Sequence, residues 1–282
     1  MTDDENTRPL ETGIVTDLTG ALTYGSYLAL DELFATQRPR SQPPHHDEML
    51  FIIQHQTTEL WLKLVLHELD SARTLLASDD LATALKRIAR VKHIQETLVQ
   101  QWSVLATLTP TEYVQFRGAL VNASGFQSAM YRAVEFALGN KNAKLVRVFA
   151  AEPANQALLT EALHRPSLYD EFLRYLARAG YPIPDELLNR DVTKAHAFNE
   201  RLVEVFAEVY RDEHNHWPVY EACEELVDLE DNFQLWRFRH LRVVARTIGM
   251  KTGTGGSSGV PFLRRALELT FFPEIYAVRT KI

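Results

Sequence analysis

The 282-residue chain has one cysteine, Cys223. No intramolecular disulfide can form, and neither a Cys-x-x-Cys metal knuckle nor a Cys-x-x-Cys-His haem attachment is present. A reducing compartment is the simplest setting for such a chain. No run approaches 18 consecutive apolar residues, so no membrane span is expected. There is no basic block either. With 30 basic against 37 acidic residues, the formal charge of −7 makes nucleic acid and anionic membrane poor partners. The start, MTDDENTRPLETG, is acidic and polar, unlike a signal or transit peptide, and the expectation is a cytoplasmic protein. No segment sustains the two-residue alternation of a strand, no repeat is visible, and GxSxG and HExxH are missing. What is present is an ordinary soluble composition, 46% hydrophobic and 24% charged, long enough for one large core.

Helical spacing fills most of that length. Residues 1–19 are polar and read as a mobile tail, followed by a single domain over 20–282. LTYGSYLALDELFATQ (22–37) has helical spacing, with Thr23 as N-cap. RPRSQPP (38–44) breaks it. From His45 to Ala77 there is no Gly or Pro, and EMLFIIQHQTTELWLKLVLHEL is apolar on most sides, as in a helix buried in a bundle. A second long helix is expected over 79–108. TPTEY (109–113) supplies a capping box, with Pro110 at the first position. A helix then runs from NASG (122–125) to LGNKN (138–142). Shorter helices follow, and a long stretch covers 194–248 with a break near Pro218. A glycine-rich loop, KTGTGGSSGVPFL (251–263), and a short helix over 261–270 come last. The fold class is all-α, one bundle of long helices joined by mostly short loops.

The glycine-rich loop raises the idea of a phosphate cradle. Such loops follow a strand and open a helix. Here a helix precedes the loop, Gly-Lys-Ser/Thr is lacking, and Ser258 stands where the dinucleotide fingerprint needs glycine. A hinge or lid fits better.

Two of the ten histidines stand out. Phe233, Trp236, His240, Val243, Val244 and Thr247 share one helical stripe. A histidine on an apolar, aromatic stripe suits both a haem ligand and a core position. Arg237, Arg239 and Arg242 flank it, either to pair with haem propionates or, more simply, as a solvated face. His55 shares a face with Phe51 and Glu59 in an otherwise apolar helix, so its imidazole requires a partner from protein or ligand. Tyr113 and Arg117 lie four apart beside Phe116. An arginine among aromatics suits a carboxylate-bearing ligand, and equally a surface position. Glu161-x-x-His164 and Glu213-x-x-His216 have the spacing of helical di-iron sites, but the first ends at Pro166 and the second lies in polar YRDEHNHWP. Cys223 lies among carboxylates, which raise its pKa and blunt it as a nucleophile.

The strings LTYGSYL, HHDEMLFIIQHQTTELWLKL, QWSVLATLTPTEY, FRGAL, SGFQS, EDNFQLWRFRHLRVVARTIG and GTGGSSGVPFL occur in this order from about residue 20 to residue 276. Together they resemble the bacterial tryptophan 2,3-dioxygenases. The resemblance implies an all-helical homotetramer with one non-covalent haem b per subunit. It implies an enzyme that uses O2 to open the pyrrole ring of L-tryptophan, giving N-formyl-L-kynurenine, the first step of the kynurenine pathway. It places His240 as the axial ligand of the haem iron, with Trp102 and Ser124 beside the haem. It gives His55 the catalytic position facing the indole N–H. Phe51, Ile52, Ile53, Gln54 and Tyr113 fall in the substrate-binding set, with Arg117 on the substrate carboxylate and Thr254 on its ammonium and carboxylate groups. Tyr24, Tyr27 and Leu28, within residues 20–37, are implied to reach a neighbouring subunit's site, and residues 250–260 to form a flexible lid. The related indoleamine 2,3-dioxygenases lack the distal histidine, so His55 favours the tryptophan-specific branch.

Overall fold

The computed structural model describes residues 7–282. The chain divides into two compact units, residues 1–39 and 40–282, and the boundary falls inside the RPRSQPP breaker. Of the polar segment expected to form a tail, residues 1–6 lie outside the described residues, and 7–19 form no helix or strand.

The first unit holds two short helices, α1 (Tyr24–Tyr27) and α2 (Leu30–Phe34). Thr23 caps α1 as expected, in a reciprocal capping box with Ser26. The single helix expected over 22–37 is nevertheless interrupted. Ala29 takes a left-handed conformation, φ 51° and ψ 44°, which a continuous right-handed helix cannot contain.

The second unit is helical throughout its ordered elements, with no strand among the described residues. The elements are α3 (His46–Ala77), α4 (Leu81–Leu105), α5 (Pro110–Arg117), α6 (Ala129–Leu138), α7 (Ala143–Val148), α8 (Pro153–His164), α9 (Leu168–Arg178), α10 (Asp185–Leu188), α11 (Glu200–Arg211), α12 (Trp217–Ile248), α13 (Val260–Ala266) and α14 (Pro273–Ala277). α3, α4 and α12 form the frame, α4 packing along both of the others. α3 starts at His45, whose side chain accepts from Asp47 N. It buries Leu62, Val65, Leu69, Ala72 and Leu76 at three- and four-residue spacing. Each large apolar side chain so buried contributes roughly 1.5–3 kcal/mol. The turn into α4 is tight because Asp79 adopts φ 63° and Asp80 caps α4 through Thr83 N. α4 answers α3 with Leu81, Ala84, Ile88, Val91 and Leu98, all buried.

The capping box of Thr109 and Glu112 opens α5 with Pro110 in the first turn, as the sequence predicts. The stretch 194–248 differs in detail. Residues 194–199 are not helical, and the interruption between α11 and α12 falls at Asp212–His216, ahead of Pro218. Pro218 lies in the first turn of α12, where its missing N–H has no helical partner to lose. α13 also stops early. The Ala266 carbonyl at its end and the Leu269 carbonyl beyond it accept from the Arg237 guanidinium, and Leu269 also from Gln234. Those side chains satisfy carbonyls that further helical turns would otherwise use.

Candidate functional site

The stripes of α3 and α12 converge with α4 on a cavity of about 510 Å³. From α3 it receives Phe51, Gln54, His55, Thr58, Glu59 and Leu62, the three- and four-residue spacing of one helical face. From α12 it receives Trp236, Arg237, His240, Val243, Val244 and Thr247. α4 adds Trp102 and Leu105, α5 adds Tyr113, and the turn before α6 adds Ser124. Gly253 and Thr254 of the glycine-rich loop complete one side. The volume falls within the range of small-molecule and cofactor sites.

The two histidines share this cavity in different states. His55 Nδ1 lies 2.7 Å from the Phe51 carbonyl. A carbonyl only accepts, so Nδ1 carries the proton and Nε2 is left as a lone-pair acceptor. Burial lowers the His55 pKa, against the opposing effect of that hydrogen bond. His240 has no hydrogen-bond partner among the described residues. Its ring lies parallel to Trp102, centroids 4.8 Å apart and planes 8° apart, with Trp236 at 5.9 Å. Burial pushes the His240 imidazole down to about 4, and the charge of His55 acts in the same direction. Both rings are therefore neutral near pH 7, and each offers a nitrogen lone pair.

The aromatic wall continues from His55. Phe51 lies 4.1 Å from the His55 ring, 6.0 Å from Tyr113 and 5.7 Å from Phe116, centroid to centroid. Arg117 is half-buried behind this wall, and its Nη2 donates to the Thr252 carbonyl at 2.6 Å. It also acts on Tyr113. Burial raises the tyrosine's pKa, and the charge and hydrogen bond of Arg117 oppose the rise. Thr254 Oγ1 donates to the Ala123 carbonyl at 2.5 Å. Ile52 and Ile53 belong to the other side of α3. They do not line the cavity, and Ile53 is exposed. Tyr24, Tyr27 and Leu28 belong to the first unit and are exposed.

The wall also contains a buried ion-pair network that the residue pattern did not single out. Arg237, expected on a solvated face, is 3% exposed. Its guanidinium donates to Glu135 at 2.8 Å and to the Tyr131 hydroxyl at 3.0 Å, and it packs over Phe233 and Phe271. Arg132 Nη1 donates to the other Glu135 oxygen at 2.5 Å. The expectation of solvation holds for Arg242, while Arg239 is half-buried. A signal for this network existed in α6. AMYRAVEFAL carries only two charged residues, three apart on an otherwise apolar helix, and such a pair has to be buried with a partner.

Six buried polar atoms in the wall lack a hydrogen-bond partner: Gln54 Nε2, Trp102 Nε1, Arg132 Nε, Asn140 Nδ2, Trp236 Nε1 and Thr247 Oγ1. Buried polar groups are nearly always paired, so this concentration marks a wall built around a ligand. Five of the atoms are N–H donors, which asks for acceptor or anionic groups on that ligand. Leu62, Leu105, Val243 and Leu263 ask for an apolar body, and the unpartnered His240 imidazole offers a metal a ligand. A flat apolar ring with a metal centre and carboxylate edges, as in haem, fits all three requirements.

The alternatives fare less well. Glu161 and His164 lie at the exposed end of α8, where His164 Nδ1 donates to the Thr160 carbonyl. Glu213 is exposed, and His216 pairs with the Tyr181 hydroxyl at 2.7 Å. Neither pair faces the cavity, and no group of three or more His, Cys, Asp or Glu side chains among the described residues is placed to hold a metal. Cys223 is buried, and burial raises its pKa more than the neighbouring Glu224 does. The glycine-rich loop runs between two helices, α12 and α13, without a strand.

Comparison with known proteins adds a common ancestry to this geometry. A family model described as tryptophan 2,3-dioxygenase matches residues 10–208 and 203–282. A tryptophan 2,3-dioxygenase of Kineococcus radiotolerans is 69% identical over 281 residues, covering 100% of this chain and 98% of its own. One from an Arthrobacter species is 66% identical over 282 residues, 100% of this chain and 99% of its own. One from Saccharopolyspora erythraea is 62% identical over 277 residues, 98% and 99% of the two chains. With a family match over nearly the whole length and a cavity holding both distinctive histidines, the chain belongs to the tryptophan 2,3-dioxygenase family.

Proposed function

We infer that this chain is a haem-dependent dioxygenase that adds both atoms of O2 across the indole C2=C3 bond of L-tryptophan, giving N-formyl-L-kynurenine. The observation that carries the reading is the single cavity that holds a neutral, unpartnered His240 and a neutral His55 with Nε2 left as acceptor. Haem, when bound, supplies the redox chemistry with O2. His240 would hold the haem iron through its free nitrogen, its ring stacked on Trp102, and Ser124 lies in the same wall. No charged partner pulls on the His240 ring, and its neutral form keeps a lone pair for iron.

His55 orients the substrate by accepting a hydrogen bond from the indole N–H. Phe51 and Tyr113 supply an aromatic surface for the indole. Arg117 recognises the substrate carboxylate through its two-donor fork, displacing or sharing the Thr252 carbonyl it now holds. Thr254 contacts the amino-acid end from the loop over residues 250–260, which serves as a lid. Tyr24, Tyr27 and Leu28 complete the site of a neighbouring copy in a homotetramer, a role consistent with their exposure. The enzyme works in the cytoplasm, and no helix of the described residues is long and apolar enough to cross a membrane.

The test is spectroscopic. The purified full chain, given haem, is expected to show an intense Soret band. In the ferrous state with O2 it should form N-formylkynurenine only when tryptophan is added. His240→Ala should lose the axial-ligand signature of that band. A wild-type chain that fails to retain haem sinks the reading.

A further inference from the structure

Three contacts tie the glycine-rich loop to the end of α5 and the turn that follows it. Arg117 holds the Thr252 carbonyl, Thr254 holds the Ala123 carbonyl, and between them Gly255 comes down directly on Ser124. A Cβ built on Gly255 would lie 2.7 Å from Ser124 Cβ and 2.9 Å from Ser124 Oγ. Non-bonded carbons settle at about 3.5–4.0 Å, so a methyl group does not fit. Ser124 cannot give way by rotating, because a Cβ position is set by the backbone. That backbone is fixed as well. Ser124 caps the short 3-10 helix at Gly125–Gln127, its Oγ accepting from Phe126 N while its own N–H donates to the Gln127 side chain.

The glycine is not required by its backbone conformation. The loop's left-handed residues are Gly256 at φ 81° and Gly259 at φ 67°, and Gly255 is not among them. Alanine at 255 is therefore permitted by the chain and excluded only by Ser124. Gly253, two residues earlier, makes an internal comparison. Its added Cβ would meet the Ser257 hydroxyl at 2.8 Å, with the next atom at 3.9 Å, and a hydroxyl rotates away at little cost.

We propose that Gly255 is a positioning residue. Its bare Cα lets the loop seat against Ser124, and that seat sets Thr254 at the cavity wall. The seat couples the loop to the same Ser124 that lines the cavity, so the loop and the cofactor side of the site share one anchor. With a methyl group in the gap, the loop has to lift by about 1 Å to restore ordinary contact. Thr254 Oγ1 and the Ala123 carbonyl, 2.5 Å apart, would then separate beyond hydrogen-bond range. The consequence for tryptophan rests on the reading of the site given above; the consequence for the loop does not.

The experiment uses the full haem-loaded chain and two readouts. The first is the rate of tryptic cleavage at Lys251–Thr252, followed by mass spectrometry. Lys251 is exposed, and Arg117 holds the carbonyl of the next residue, so cleavage there reports release of the seat. Gly255→Ala should speed this cleavage and Gly253→Ala should not. The second readout is kinetic. Gly255→Ala should raise KM for tryptophan roughly tenfold, the size of losing one charge-assisted contact, with the Soret band unchanged. Wild-type cleavage in Gly255→Ala, or cleavage as fast in Gly253→Ala as in Gly255→Ala, overturns the proposal even if KM rises. Faster cleavage with an unchanged KM leaves the steric seat standing and refutes its role in binding tryptophan. A wild-type chain without tryptophan turnover overturns the functional reading and leaves the protease arm intact.

Discussion

The Nδ1 proton of His55 is committed to the Phe51 carbonyl, and this limits what the ring can do. Nε2 can accept a hydrogen bond, but burial lowers the ring's basicity. Indole is a far weaker acid than imidazolium, and each pKa unit of mismatch costs about 1.4 kcal/mol. Full proton removal by His55 is therefore unfavourable, and orientation of the substrate is the role that fits. His55→Ala is expected to lower kcat/KM by roughly 10–100-fold, the worth of one positioning hydrogen bond in a closed site, while turnover persists. Steady-state kinetics on haem-matched samples decide the matter, and complete loss with haem and tryptophan still bound would make the histidine an obligate base. Sequence spacing was enough to single out His55 and His240, because a lone imidazole on an apolar stripe has few explanations. Arg237 was not legible in the same way. Its neighbours Arg239 and Arg242 carry the same charge, and only its carboxylate partner on a distant helix, Glu135, distinguishes it.

Helix ends illustrate how local chemistry and distant contacts divide the work. α9 begins with Ser167, whose hydroxyl accepts from Asp170 N while the Asp170 carboxylate accepts from Ser167 N at 2.7 Å. The same carboxylate receives two donors from Arg190, at 2.6 and 2.9 Å. Burial works to raise the Asp170 pKa, yet Arg190 and Ser167 together hold it below the ordinary aspartate value. An aspartate with a depressed folded pKa contributes stability above its unfolded value of 3.8 and loses it as pH falls through the folded value. Asp170→Asn should accordingly cost about 3 kcal/mol at neutral pH, the low end for breaking a buried ion pair. The gap should narrow below pH 3.8, and urea titrations at pH 7 and pH 3 measure both. Caps such as Thr23 and Thr109 are readable from sequence because their partners lie within three residues. The break at Ala29 and the early end of α13 were not, since one is an αL alanine and the other depends on Arg237 and Gln234 from α12.

At the scale of the molecule, the two units differ in how they treat apolar surface. The second buries its large side chains along α3, α4 and α12. The first leaves Leu22, Tyr24, Tyr27 and Phe34 at 78, 77, 74 and 67% exposure, surface that a solitary chain would ordinarily hide. Removing residues 1–39 is expected to lower the association state seen by analytical ultracentrifugation and to weaken tryptophan binding, while haem binding survives. A truncated chain with the association state of the full chain and an unchanged KM would remove the arm from the site. The bundle itself was legible, because long helices with three- and four-residue apolar spacing have few other outcomes. A reach into a neighbouring subunit is implied by resemblance alone, since an exposed tyrosine looks the same whatever covers it. The indole N–H groups of Trp102 and Trp236, buried without acceptors, carry one more consequence. A chain folded before its ligand arrives carries unsatisfied donors inside, and whatever then fills the cavity adds its binding free energy to the folded state. If that ligand is haem, the amount of this protein a cell keeps is coupled to its iron and porphyrin supply, and scarcity of either would shorten the chain's lifetime before it limited a single turnover.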